Sequence, residues 1–162
     1  MQHTISVLVS NRFGVLARIA GLFSGRGFNI ESLNVAATSD PEVSNMTLVT
    51  VGDDQKIEQI TKQLNKLVDV IEVHDLTEEN FIDRELVLIK MNAEAKAKEE
   101  ILRIVSLFRA KVIDVSPDTY TIEITGDENK LKGFIELLRS FGIKEMVRSG
   151  KIALSRPQKV IS

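Results

Sequence analysis

Two amide side chains, Asn11 and Asn29, lie where predicted helices and strands meet, and they are the first candidates for binding chemistry. Asn11 begins the turn 11–14, which joins an alternating strand at 5–10 to an amphipathic helix at 15–24. The N–H groups that open a helix have no partners within it and carry a partial positive charge. The turn therefore suits a carboxylate or another small anion, although Asn and Gly are equally typical of a turn that only connects two elements.

Asn29 lies at the mouth of the next strand, which begins with Phe28. Two neutral amides together with free N–H groups suit a zwitterion such as an amino acid. The N–H groups would take its carboxylate, and amide and carbonyl oxygens would take its ammonium group. Val15, Leu16 and Ile30 would supply an apolar wall for its side chain. We therefore predict a binding site and not a catalytic one.

The other residues of chemical interest favour structural roles. Gly25 and Gly27 resemble part of a dinucleotide-binding fingerprint, but they follow a helix instead of opening one, and we interpret both as C-cap glycines. His3 and His74 lie in strand-like segments and are predicted to be ordinary surface residues, not metal ligands. Adjacent glutamates point different ways and the serines have no nearby histidine, so neither group indicates acid–base or nucleophilic catalysis.

Composition is ordinary for a globular protein, with 43% hydrophobic and 27% charged residues among 162. Residues 1–77 carry six basic and nine acidic side chains, and residues 78–162 carry fifteen basic and fourteen acidic side chains. Neither half therefore has the excess of positive charge that nucleic-acid binding requires. There is no cysteine, and no apolar run approaches the ~18 residues of a membrane span. With no signal peptide visible, we expect a soluble, cytoplasmic protein.

The elements that position the turn repeat in the two halves of the chain, because the hydrophobic period switches between two and 3.6 in the same order. Each half predicts strand, helix, strand, strand, helix, strand. The predicted helices are marked in order by these apolar faces: Val15, Leu16, Ile19, Leu22 and Phe23; Ile57, Ile60, Leu64 and Leu67; Ile101, Ile104, Val105 and Phe108; Leu131, Phe134, Ile135, Leu138 and Phe141. We predict domains at 1–77 and 84–162 with a polar linker at 78–83.

This order is typical of the split βαβ, ferredoxin-like arrangement, so the fold class is α+β with two βαββαβ domains. Both helices of such a domain cover one face of an antiparallel sheet and leave the other face open. Small domains of this kind bury a modest share of their surface. We therefore expect the chain to form at least a dimer.

The residues 9–33 resemble the start of the small, regulatory subunit of acetohydroxyacid synthase (acetolactate synthase), through the pattern V-x-N-x-x-G-V-L-A-R-I-A-G-L-F-S-x-R-G-F-N-I-E-S-L. Residues 46–52, 59–70 and 84–90 are similar to the same family. So are Ile113-Asp114-Val115, Tyr120-Thr121, Arg148-Ser149-Gly150 and Leu154-Ser155-Arg156. The resemblance covers nearly the whole chain.

The resemblance implies an N-terminal ACT domain, a C-terminal domain of similar build, and dimers whose ACT domains pair edge to edge. It implies a chain without catalytic residues or cofactors of its own, which activates a catalytic large subunit that uses thiamine diphosphate, Mg²⁺ and FAD. It also implies that valine is the feedback inhibitor and binds between the turn of one chain and the second strand of its partner, with leucine and isoleucine as alternative effectors. The positions that match this effector site are Asn11, Arg12, Phe13, Gly14, Val15, Leu16, Asn29 and Ile30.

Arg12 and Phe13 depart from the small or acidic pair often found in that turn of the family, which affects effector preference. Two other functions remain open. One is a stand-alone amino-acid sensor of ACT type without an enzyme partner. The other is a ferredoxin-like hydrolase of acylphosphatase type with Arg12 and Asn29 in catalytic roles, although 10–15 lacks a glycine-rich phosphate cradle. A transcription regulator is disfavoured because no helix-turn-helix unit is spare.

Overall fold

The computed structural model describes residues 1–157, which form two compact units. One unit comprises Met1–Ile82 together with the segment from Lys151, and the other comprises Asp83–Gly150. The end of the predicted second domain, at 158–162, lies outside the described residues. No helix among the described residues is both long and apolar enough to cross a membrane.

The N-terminal unit contains a four-stranded antiparallel sheet with the strand order β2-β3-β1-β4. Its elements are β1 Gln2–Ser10, α1 Val15–Gly25, β2 Ile30–Ala37, β3 Val43–Val51, α2 Asp54–Leu64 and β4 Val70–Asp75. The alternation of Ile5, Val7 and Val9 turns these three side chains into the core, where all are at most 1% exposed. The predicted βαββαβ order is therefore confirmed for this unit.

The second unit repeats the arrangement, with the strand order β6-β7-β5-β8 in a sheet whose fifth strand pairs with β5 off this path. Its elements are β5 Phe81–Asn92, α3 Lys98–Leu107, β6 Lys111–Val115, β7 Thr119–Gly126, α4 Glu128–Arg139 and β8 Ile143–Arg148. A separate core forms around Val87, Ile89 and Met91 of the central strand, with Phe134 packed edge-on against Phe108 at 5.3 Å between ring centroids. The ferredoxin-like α+β class is confirmed for both halves.

Two features of chain organisation differ from the sequence-based boundaries. Strand β5 begins at Phe81, within the predicted linker, because an alternating burial pattern already includes the polar residues Asp83 and Glu85. A further strand, β9 Ile152–Ser155, follows the positive φ of 85° at Gly150, pairs with β5 and belongs by its contacts to the unit that contains Met1–Ile82. The Arg156 N–H donates to the carbonyl of Asn80 at 3.2 Å, which holds this returning segment.

Helix α1 ends in a left-handed turn at Gly27, which has a φ of 75°. The N–H groups of Gly27 and Phe28 donate back to the carbonyls of Ser24 and Phe23 at 3.1 and 3.0 Å. Gly27 is therefore a capping glycine, as predicted. The same prediction was wrong for Gly25, which is the last helical residue.

Most of the predicted inward residues of the helices are buried, with one clear exception. Val15, Ile19 and Phe23 of α1 are at most 3% exposed, but Leu16 is 44% exposed. Leu16 follows Val15 by one position, which rotates its side chain about 100° around the helix and away from the sheet. Its assignment to the buried face was therefore wrong, and the side chain is instead available at the surface.

Candidate functional site

The turn between β1 and α1 places an uncapped helix N-terminus at the surface. Gly14 is the N-cap residue, with a φ of 83°, and within residues 1–157 no side-chain hydrogen bond caps this helix start. The first bond within the helix runs from the Arg18 N–H to the Gly14 carbonyl at 3.1 Å, and the first turn contains no acidic residue. The N–H groups of residues 15–17 thus keep the partial positive charge that favours an anionic ligand.

Asn11 braces the turn against the neighbouring strand connection and does not cap the helix. Its backbone N–H donates to the Glu42 carbonyl at 2.7 Å, and its Nδ2 donates to the Pro41 carbonyl at 2.9 Å. Both acceptors lie between β2 and β3. Asn11 therefore stabilises the turn through the 38–42 connection, while Gly14 is the N-cap residue of α1.

Arg12 and Phe13 project from the turn, and Phe13 is fully exposed at 103%. Behind them Arg18 forms an ion pair with Asp69, and its Nη1 lies 4.0 Å from where a Cβ on Gly14 would stand. The sequence reasoning missed this guanidinium. Its spacing of four residues from Gly14 would have placed it over the helix start.

Asn29 and Ile30 lie at the start of β2, and Asn29 is exposed. The Asn29 carbonyl accepts a hydrogen bond from the Thr50 hydroxyl at 2.7 Å, and Ile30 pairs with Thr50 across the sheet. The neighbouring Phe28 ring lies against Gly52, where an added Cβ would stand 2.2 Å from Cε1. These contacts fix the backbone at the start of β2 and leave the Asn29 side chain at the surface.

Within one chain, the turn and Asn29 lie at opposite ends of the sheet. Ser10, just before the turn, pairs with Val43, whereas Ile30 pairs with Thr50. The seven residue steps from Val43 to Thr50 correspond to ~23 Å of strand at ~3.3 Å per residue. The two amides of one chain therefore cannot share a small ligand. The hydrolase alternative fails for the same reason, because it requires Arg12 beside Asn29.

The prediction that His3 is an ordinary surface residue was wrong. His3 is 4% exposed, and its ring nitrogens contact Asp75 Oδ2 at 3.0 Å and Asp54 Oδ1 at 3.1 Å. His74 fits the prediction better, since its side chain is 44% exposed and pairs with Glu79. Within residues 1–157, no group of three or more His, Cys, Asp or Glu side chains is arranged to hold a metal ion.

Comparison with known proteins gives the class of the N-terminal unit, because residues 5–72 match the family model "AHAS small subunit-like ACT domain". Residues 84–157 match the model "Small subunit of acetolactate synthase". An acetolactate synthase small subunit from Aquifex aeolicus is 52% identical over 160 residues, which cover 98% of this chain and 83% of the relative. The chain therefore belongs to the acetolactate synthase small-subunit family.

Two further proteins support this membership. A probable acetolactate synthase small subunit from Archaeoglobus fulgidus is 52% identical over 98% of this chain and 99% of its own length. The crystal structure of the acetolactate synthase small subunit from Thermotoga maritima superposes with a TM-score of 0.88 at 41% identity. It covers 98% of this chain and 99% of that one, so the similarity extends across both units.

Proposed function

We propose that this chain is a non-catalytic regulatory subunit, which binds and activates the catalytic large subunit of acetolactate synthase and makes it sensitive to valine, leucine or isoleucine. The observation that carries the proposal is family membership over 98% of the chain, with an ACT-type match at residues 5–72. In this proposal the thiamine diphosphate, Mg²⁺ and FAD of the reaction belong to the large subunit. The small subunit contributes binding and control.

The proposed effector site forms between two copies of the chain. Strand β2 is an edge of its sheet, and the twofold pairing of an edge strand with its own copy runs antiparallel. The start of the partner's β2 then lies beside the end of β2 in the first chain. That end carries the turn, because Ala37 pairs with Ser44 and Ser10 with Val43. The ~23 Å that separates the turn from Asn29 within one chain therefore supports a shared site.

The chemistry at the two sides suits a branched-chain amino acid. The uncapped N–H groups at the start of α1 would take the carboxylate, and the amide oxygens of Asn11 and Asn29 would take the ammonium group. Leu16, which is 44% exposed, and Ile30 would contact the aliphatic side chain. The exposed Phe13 would line the same space and influence which of the three amino acids binds best.

A site that spans two chains links effector binding to the geometry of the interface. An effector that binds one dimer geometry more tightly must shift the equilibrium toward it, with a coupling of ~1–3 kcal/mol in typical allosteric proteins. In the effector-bound geometry, the small subunit would activate the large subunit less strongly. Feedback inhibition then needs no chemistry from the small subunit itself.

The decisive experiment reconstitutes the large subunit with the Asn29→Ala small subunit and measures acetolactate formation with and without valine. We expect the variant to bind and activate the large subunit but to lose inhibition by valine. Asn129→Ala, on α4 of the second unit, is the matched control and should keep full inhibition. If Asn29→Ala is inhibited by valine like the unmodified protein, the effector site is assigned incorrectly. If neither the unmodified protein nor Asn29→Ala binds the large subunit, the proposed regulatory role is wrong.

A further inference from the structure

A cavity of about 420 Å³ lies within the N-terminal unit, on the sheet face opposite the helices. Its size falls in the range of small-molecule sites. The cavity is lined by Ser6, Leu8, Thr38, Asn45, Glu72, His74, Leu76, Ala153, Leu154 and Ser155. None of these residues belongs to the proposed effector site, and the inference drawn from them goes beyond the proposed function.

The strand register explains why polar side chains meet on this face. Ile5, Val7 and Val9 point into the core, so Ser6 and Leu8 of β1 point the other way. Ser6 is flanked in register by His74 of β4, and Leu8 is flanked by Glu72 and, on the other side, by Asn45. Directly opposed residues have Cβ atoms ~4.5–5.5 Å apart, which brings these side chains within reach of one small ligand.

A β-bulge interrupts the pairing of β1 with β4 at the same place. Leu8 pairs with Glu72 but Val9 pairs with Val70, so Ile71 is an additional residue on β4. A bulge of this kind bends its strand, increases the local twist and redirects the neighbouring side chain. Glu72 is the residue next to the bulge, and it is exposed.

The polar groups of the cavity form an acceptor-rich surface. Asn45 Nδ2 donates to the Ser6 hydroxyl at 3.1 Å, which fixes the amide and leaves its oxygen as an acceptor. His74 is already paired with Glu79. The backbone of Glu72 pairs with Leu8, whereas its carboxylate has no hydrogen-bond or ion-pair partner among the described residues. A carboxylate beside an amide oxygen and hydroxyl groups selects a cationic donor such as an ammonium group.

Apolar side chains limit the size of the ligand. Three leucines line the cavity. Leu8 lies on β1, Leu76 directly follows β4, and Leu154 lies on β9. Ala153 and Leu154 come from β9, so this strand supplies part of the cavity wall. A short aliphatic group fits these walls, whereas a second charge would have no partner among them.

We propose that this cavity is a binding site for a small aliphatic ammonium compound, with Glu72 as the counter-ion and Asn45 as a second acceptor. The site is separate from the turn and from Asn29. Its occupant would therefore be a second ligand of the subunit, independent of the branched-chain amino acid.

The test titrates isobutylammonium chloride into the isotopically labelled full-length protein and follows backbone amide signals by NMR. We expect saturable shifts at Ser6, Asn45 and Ala153, and about tenfold weaker binding in Glu72→Gln, since a charge-assisted hydrogen bond is lost. Glu58→Gln, an exposed glutamate on α2, is the control and should bind like the unmodified protein. Isobutyrate, which has the same carbon skeleton and the opposite charge, should not bind.

A second variant tests the cavity independently of charge. Ala153→Leu fills the space from β9 and should abolish the shifts without changing the urea midpoint of unfolding. The proposal is overturned if isobutylammonium causes no saturable shift, if Glu72→Gln binds it as tightly, or if isobutyrate binds equally well. Asn29→Ala should leave this binding intact, so failure here is distinguishable from failure of the proposed effector site.

Discussion

His3 connects three parts of the N-terminal unit through a single buried ring. Its nitrogens face the carboxylates of Asp54 at the start of α2 and Asp75 at the end of β4, and Asp75 also accepts from the Thr77 hydroxyl at 2.5 Å. Each ring nitrogen thus lies within hydrogen-bond distance of one carboxylate, and the ring joins β1 to both elements. His3 therefore has a structural role, which neither the sequence pattern nor its position near the N-terminus indicated.

Gly14 is required by backbone conformation and not by lack of space. Its φ of 83° disfavours any side chain, while the nearest atom to an added Cβ is 4.0 Å away. We expect Gly14→Ala to lower the free energy of unfolding by ~1–2 kcal/mol, which is the usual cost when an L-amino acid with a Cβ adopts the left-handed backbone conformation. Gly21→Ala should instead raise it by ~0.5–1 kcal/mol, because Gly21 lies within α1 with open space around it.

Urea denaturation of both variants, followed by circular dichroism, measures the two effects in one experiment. Opposite signs are the essential result, since both substitutions add the same methyl group to the same turn-and-helix segment. A loss at Gly21 as large as that at Gly14 would contradict the conformational explanation.

At the scale of the elements, the second helices of the two units begin in the same way. Asp53 Oδ1 accepts from the Lys56 N–H and Asp127 Oδ1 from the Lys130 N–H, each at 2.9 Å. We expect Asp53→Ala and Asp127→Ala each to reduce the free energy of unfolding by ~1 kcal/mol. Asp→Ser at either position keeps an N-cap acceptor and should recover most of the loss, as measured by urea denaturation. If the Ser variants are as unstable as the Ala variants, the caps are not the cause.

The elements that sequence reasoning predicted correctly are those whose local signals agree with their burial. The Asp53 cap, the apolar face of α2 and the alternation in β1 each specify one local structure. The start of β5 was missed because Asp83 and Glu85 occupy half-buried positions where the alternation requires apolar residues. Strand β9 was missed because a four-residue strand is too short to show a clear hydrophobic alternation. Its assignment to the unit with Met1–Ile82 depends on contacts between residues distant in sequence.

At the scale of the whole molecule, the candidate site was only half predictable. Local chemistry marked the uncapped turn and Asn29 separately, but their relative position follows from the register of β2, β3 and β1. That register places them at opposite ends of one sheet, a relation that local pattern does not encode. The same register makes a twofold partner the natural way to bring them together, and this can be tested through the edge strand.

Val35 and Ile71 provide matched positions on the two edges of the N-terminal sheet. Val35 of β2 is 41% exposed and Ile71 of β4 is 57% exposed. The right-handed crossover also places α1, with its exposed Leu16, on the β2 side. The β2 edge thus offers unpaired backbone groups beside apolar side chains, as an interface requires.

For the proposed dimer, we expect Val35→Lys to give a monomer, because lysine on an edge strand opposes pairing with another strand. Sedimentation velocity measures the change, and circular dichroism checks that the fold is retained. Ile71→Lys adds the same charge at the other edge and should remain dimeric. Because the proposed effector site spans two chains, Val35→Lys should also lose valine binding in calorimetry, whereas Ile71→Lys should keep it. A Val35→Lys protein that is still dimeric, or an Ile71→Lys protein that dissociates, would show that the interface lies on another surface. Asn29 of one chain would then not lie beside the turn of its partner.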